Sequence, residues 1–360
     1  MKRVFVALWM LALGCTSADE PVDPFQYPVD QPGPFQAGFH SVEITYTPGP
    51  GLEARQITVN VWYPTEVTSG IEARYMDAFP DAEAFVDAPL APAMNGATYP
   101  VHVYSHGHRG FGGTSAFLMR HFASHGWMVV APDHLTNTLL DNVDPKLSEL
   151  YVWRGTDIRA SLDTVENLEF VDVEYGVPDT TNVLMSGHSF GAYSTWLVGG
   201  ASVDVAAVRA ECEAGELDQG DCAEAEFEMY ASGLSDSRVK ALMPMAGTIN
   251  RTWFPGDAHT TVLSPVLFMS GTADQVGQAE QYETIDGVDF TWLDIDGGCH
   301  QMFALGGCSL ISDETAFQIV NSYGLAFGRK TIQGDDSEHV LALMNGSVLA
   351  DERVSFQQKP

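Results

Sequence analysis

Short apolar runs recur along this 360-residue chain at residues 99–105, 127–132, 182–186, 239–246, 266–270 and 290–295. Each is too brief for a core helix and too uniformly apolar to face water on one side. They therefore read as strands buried on both faces. Helical spacing falls between them. Residues 154–172 carry Ile158, Leu162, Val165 and Leu168 on one face, and 313–329 carry Phe317, Ile319, Val320, Tyr323 and Phe327. Further helices are expected over about 114–125, closing at Gly126, and over 191–200. Strand and helix alternating from 99 to 329 predict an α/β fold, with a mostly parallel sheet covered on both faces and right-handed crossovers. Ahead of it, residues 39–63 alternate apolar and polar positions around Pro48-Gly49-Pro50-Gly51, which predicts an antiparallel hairpin. Residues 65–98 show little pattern and read as loop with at most one short helix. Residues 201–237 are acidic and insertion-like. Residues 333–360 form a polar tail with one apolar patch. No internal repeat is visible.

Composition narrows the setting. With 45% hydrophobic and 18% charged residues the chain can bury one large core, placed at residues 39–332. The net charge of −31, from 48 acidic against 17 basic residues, argues against nucleic acid or an anionic membrane surface as partner. Residues 1–15 read as a targeting segment: Lys2-Arg3, then an apolar run over 4–13 too short to span a bilayer. It ends in Leu11-Ala12-Leu13-Gly14-Cys15, which resembles a bacterial lipoprotein box and implies lipidation of Cys15 and a place in the cell envelope. The rival is ordinary signal cleavage and free secretion. Residues 16–38, rich in Pro, Asp and Gln, read as a tether. Of five cysteines, Cys212 with Cys222 and Cys299 with Cys308 make two local pairs, which leaves Cys15 for lipid. An exported setting makes disulfides reasonable.

The chemistry centres on Gly187-His188-Ser189-Phe190-Gly191. A buried strand enters this Gly-x-Ser-x-Gly pattern and a small-residue helix leaves it, as a nucleophile elbow requires. The sharp turn would expose Ser189 Oγ above the sheet at a helix N-terminus, with the Phe190 N–H aimed at whatever the serine attacks. A serine hydroxyl needs a base and a third group to orient that base, in the order Ser, acid, His for this arrangement. Asp274 lies just past the strand at 266–270, and His300 just past the strand at 290–295. Asp257 is the rival acid. His134 precedes the serine, His188 is expected to point away at the elbow, and His259 has no strand before it. A second oxyanion donor is expected in the turn His106-Gly107-His108-Arg109-Gly110, from the His108 amide. A metal reading of His102, His106 and His108 finds no carboxylate suitably spaced, and no metal or other cofactor is called for.

Tyr104-Ser105-His106-Gly107, residues 123–134 and the elbow resemble the platelet-activating factor acetylhydrolase branch of the α/β-hydrolases. Thr136-Asn137-Thr138-Leu139-Leu140-Asp141 also resembles the cutinase and polyester-hydrolase branch. The similarity spans roughly 95–330. In the acetylhydrolases the acid follows the strand after the elbow strand. Here that strand ends in Met243-Pro244-Met245-Ala246 without an acid, and Asp274 matches the cutinase placement instead. The resemblance implies a serine esterase that cleaves small carboxylic esters, of short acyl chain, through an acyl-enzyme and without a cofactor. A lipase or polyester hydrolase would share the mechanism. A binding module on a hydrolase fold, without catalysis, is the reading from another class.

Overall fold

In the computed structural model, which describes residues 23–168, 171, 174–215, 222–249 and 253–360, the alternating segment folds as expected. Strands β1 (Gln36–Tyr46) and β2 (Arg55–Thr65) pair antiparallel, with Val42 opposite Val59 and Ile44 opposite Ile57. The stretch read as loop instead forms two short strands, β3 (Glu72–Tyr75) and β4 (Phe79–Val86). Its strand character is carried by Ala73, Tyr75, Ala84 and Phe85, which are buried, rather than by a run of branched residues. Pro80, the residue that spoils the pattern, lies outside the three residues of β4 that pair with β1.

The six apolar runs become β5 (Thr98–Ser105), β6 (Met128–Asp133), β7 (Val177–His188), β8 (Val239–Met245), β9 (Val266–Gly271) and β10 (Phe290–Ile295). Among the described residues eleven strands make one sheet, in the order β3-β4-β1-β2-β6-β5-β7-β8-β9-β10 and then a last strand, β11 (Val354–Lys359). The block from β6 to β10 is parallel throughout. The helices are α1 (Ala116–Ser124), α2 (Leu150–Val165), α3 (Phe190–Val198), α4 (Val205–Glu213), α5 (Glu224–Ser232), α6 (Gln278–Thr284), α7 (Asp313–Gly328) and α8 (Glu338–Met344). The two-residue period of the strands sorts the core into two layers. Val183, Met185 and Val130 pack on one face, while Leu184, Val129 and Met243 pack on the other.

Three expectations about the periphery need correction. Within the stretch read as a tether, residues 23–38 are held against the domain: Val29 is buried, His121 Nε2 donates to its carbonyl, and the Gly33 N–H donates to Ser124 Oγ. The acidic stretch 201–237 supplies core. Val208, Phe227, Met229 and Tyr230 on α4 and α5 are buried, and so is Glu226, which accepts from the Ala223 N–H, so the stretch is built of helices packed by one face on the domain. The tail at 333–360 is no tail. α8 packs on α7, and β11 pairs antiparallel with β10 over six residues, its sequence polar because it is an edge strand. Cys15 and residues 1–15 lie outside the described residues. No helix among the described residues is long and apolar enough to cross a membrane. Both expected disulfides form, Cys212–Cys222 and Cys299–Cys308, with Cα separations of 5.9 and 5.5 Å.

Candidate active site

His108, Ser189, Asp274 and His300 each lie beyond the C-terminal end of a parallel strand, the edge where such sheets bind ligands. Ser189 follows β7 and opens α3, with φ 55° and ψ −114°. That left-handed backbone costs a non-glycine residue about 1–3 kcal/mol, which the neighbours must offset. They do so by closeness. A Cβ on Gly187 would lie 2.1 Å from the Gly191 carbonyl oxygen, and one on Gly191 would lie 1.8 Å from the Ser105 carbonyl oxygen. Only glycine permits the two strand ends and the helix start to approach so nearly. The Ser189 N–H is fixed to the Met245 carbonyl at 2.9 Å, and the residue is left part-exposed.

Asp274 and His300 are brought together by the same device. Loop 271–274 and loop 297–300 touch backbone to backbone: the Ala273 N–H donates to the Gly298 carbonyl at 2.9 Å, and a Cβ on Gly271 would lie 2.2 Å from that oxygen. His300 Nδ1 then stands 2.8 Å from Asp274 Oδ2. A carboxylate accepts, so Nδ1 carries the proton and Nε2 is left basic. Asp274 is nearly buried and His300 about one-third exposed. No hydrogen bond joins the Ser189 hydroxyl to this imidazole among the described residues. Such contacts commonly tighten only once substrate is bound.

His188 takes a part the sequence did not suggest. Its ring lies 4.8 Å from the His300 ring, and its Nε2 donates to the His300 carbonyl at 2.8 Å. Burial first, and then the His300 charge, push its pKa down to about 3, so it stays neutral and holds the His300 backbone in place. The Cys299–Cys308 bridge grips the same segment, and the Cys299 N–H points at Cys308 Sγ at 3.1 Å.

The turn after β5 overhangs the elbow. A Cβ on Gly107 would sit 3.2 Å from Ser189 Cβ and from His188 Nδ1. The Gly110 N–H closes the turn on the Gly107 carbonyl, and His106 Nδ1 donates to that same oxygen. His108, the expected oxyanion residue, follows Gly107, its side chain tied through Nδ1 to Asn137 Nδ2 at 2.7 Å. The rivals lie elsewhere. Asp257 is exposed at the start of a short 3-10 helix, His259 accepts from the Asp286 N–H, and His134 is buried against Asp157. His102 bonds Ser186 Oγ in the core, apart from His106 and His108. Two residues escaped the sequence reading. His188 was set aside, and Arg154 went unnoticed although it stands on the apolar stripe of α2, four residues before Ile158.

The chlorophyllase family model matches residues 71–207, a span that includes the turn after β5 and Ser189. No curated protein sequence matches the chain. Among solved structures, a ferulic acid esterase from Streptomyces cinnamoneus superposes with a TM-score of 0.60 at 19% identity, covering 92% of this chain and 98% of that one. By fold the chain is an α/β-hydrolase, and the chlorophyllase-family match over the segment that holds Ser189 supports a carboxylic ester hydrolase of the serine type.

Proposed function

We propose that Ser189, His300 and Asp274 form the catalytic triad of a serine esterase acting on small esters of short acyl chain. The observation that carries this reading is the 2.8 Å bond from His300 Nδ1 to Asp274, set beside a serine held at φ 55° on a strand-to-helix elbow. His300 Nε2 takes the Ser189 proton as Oγ attacks the ester carbonyl. The Phe190 and His108 amides receive the oxyanion. The alcohol departs with the proton from His300, and water then releases the acid by the same route in reverse. No cofactor enters these steps. The short-acyl preference is supported by the 134–149 segment, which runs beside the Gly107–Gly110 turn and carries no helix that could act as a lid. A fluorophosphonate probe should label Ser189, and Ser189→Ala should abolish labelling. An unlabelled, folded protein would leave the non-catalytic binding module as the reading.

The two disulfides fit an oxidising, exported setting. We place the protein in the cell envelope through a lipid on Cys15. Cys15→Ser protein that still fractionates with membranes would overturn that placement.

A further inference from the structure

Beneath the two amides assigned to the oxyanion lies a buried cation. Arg154, at the start of the second turn of α2, has no exposed surface. Its Nη1 donates to Asn137 Oδ1 at 2.8 Å and its Nε to Ser194 Oγ at 3.1 Å. Its Nη2 donates to Ser105 Oγ at 3.2 Å and to the His106 carbonyl. The guanidinium carbon stands 4.5 Å from the centroid of the Phe190 ring. None of these partners is a carboxylate, and among the described residues none forms an ion pair with it. Burial pushes Arg154 down to about 9, which leaves it charged at neutral pH.

The nearest compensation is indirect. Ser105 Oγ lies 3.0 Å from His134 Nε2, and His134 Nδ1 lies 2.8 Å from Asp157 Oδ2. The donors order themselves along this chain: Arg154 N–H to Ser105, Ser105 O–H to His134, His134 N–H to Asp157. Asp157 is already engaged by Arg55 through Nε at 2.7 Å and Nη2 at 3.1 Å, and by the Tyr46 hydroxyl. Burial pushes His134 down to about 3 and His106 well below its ordinary value, so both are neutral. Two guanidiniums against one carboxylate leave one positive charge in excess. An uncompensated buried charge is costly to hold, and replacement by packed apolar residues is often no less stable. Stability alone therefore gives no reason for it.

Its contacts converge on both halves of the oxyanion site. The His106 carbonyl opens the overhanging turn. Asn137 holds the His108 side chain, and its own carbonyl accepts the Arg109 N–H at 3.1 Å. Phe190 bears the other amide. We propose that Arg154 is the positioning residue of the oxyanion hole: it fixes the 106–110 turn and Phe190 relative to one another, and its excess charge favours the tetrahedral oxyanion from behind. This rests on Ser189 being the nucleophile. In the dry interior beneath the site a fixed charge acts with little screening and needs no reorganisation during reaction.

The test compares two inhibitors. With a trifluoromethyl ketone, Ser189 Oγ bonds to the carbonyl carbon, the serine proton passes to His300, and the carbonyl electron pair becomes an oxyanion. The matching methyl ketone binds without that adduct. In Arg154→Met, kcat/KM on p-nitrophenyl acetate and trifluoromethyl ketone affinity should fall together, by about 10²–10³-fold, while methyl ketone affinity holds. Arg154→Lys, which keeps the charge but not the fork, should recover part of both. Asn137→Ala, which leaves the cation in place, should lose both by roughly tenfold, and gives a second test should Arg154→Met fail to fold. Equal losses for both ketones in a folded variant, or no loss in Asn137→Ala, would overturn the inference while Ser189 remained the nucleophile. A wild-type protein that hydrolyses no ester and escapes the fluorophosphonate probe would overturn the esterase reading and this one with it.

Discussion

Gly271 illustrates how the candidate site depends on atoms that are missing. Its α-carbon faces the Gly298 carbonyl so closely that a methyl group would stand 2.2 Å from the oxygen, against backbone that cannot swing aside. Gly271→Ala must therefore part the loop of Asp274 from the loop of His300. A displacement of about 1 Å at a catalytic group can cost a hundredfold in rate. Gly271→Ala should accordingly lower kcat by roughly that factor with KM little changed, provided near-ultraviolet circular dichroism shows it folded; wild-type kcat would contradict this. Under the proposed triad Asp274→Asn should be severe and Asp257→Asn mild, and the reverse order would move the acid to Asp257. Ser189, Asp274 and His300 were legible because each follows an apolar run, and a strand's end marks the binding edge without coordinates. His188 and Arg154 were not. The contact of one with His300 was missed because the path of the His300 loop cannot be read from spacing. The other hid on the apolar stripe of its helix, where spacing alone does not tell what a buried guanidinium touches.

Among the elements, the two disulfides bracket different work. The Cys299–Cys308 bridge closes a loop that carries His300, whereas Cys212–Cys222 joins the end of α4 to the start of α5 beyond the site. Each ring is small, and in the chain-entropy model each contributes about 2–3 kcal/mol. Removing the 299/308 pair with serines should lower kcat well beyond its stability loss, while removing the 212/222 pair should mainly lower Tm. Equal kcat losses, assayed where both variants are folded, would defeat the distinction. The last strand has its own consequence. β11 covers the free edge of β10 along its whole length, and Lys359 Nζ donates to the carbonyls at the end of α6, including that of Ile285 at 2.9 Å. Truncation before Val354 should lower Tm by several degrees and promote association through the bared strand; an unchanged, monodisperse protein would show the edge to be dispensable. The core strands were legible because burial on both faces forces a recognisable apolar run. β3, β4 and β11 were not, since these peripheral strands are built partly from alanine, proline and glutamine, with neighbours supplying the pairing.

At the scale of the whole molecule, buried histidines set how the fold answers acid. His102, His106, His121, His125, His134 and His188 are all buried. Burial pushes His102, His125, His134 and His188 down to about 3 and His121 to about 4, with His106 well below its ordinary value. The folded state therefore leaves these groups neutral where the unfolded chain, titrating near 6.5, takes up protons. Stability rises with pH wherever the unfolded state binds more protons, so it must fall as the solution is acidified through about 6.5. One unit below that value the linkage amounts to ~1.4 kcal/mol per histidine as an upper figure. Asp133 acts in the opposite sense. Burial raises it to about 6, and raises Asp294 as well, so the folded state gains there on acidification, but these are two groups against six. Relief of self-repulsion among the carboxylates also opposes the loss, yet a carboxylate ordinarily titrates near about 4, below this window. Urea unfolding at pH 7.5, 6.5 and 5.5 should thus give midpoints that drop steadily, with several protons taken up on unfolding. His121→Gln, which removes one of these groups and keeps an N–H that can donate to the Val29 carbonyl, should reduce that uptake by about one proton. A stability that is flat or rising from pH 7.5 to 5.5 would mean that the carboxylates, and not the histidines, govern this protein's response to acid.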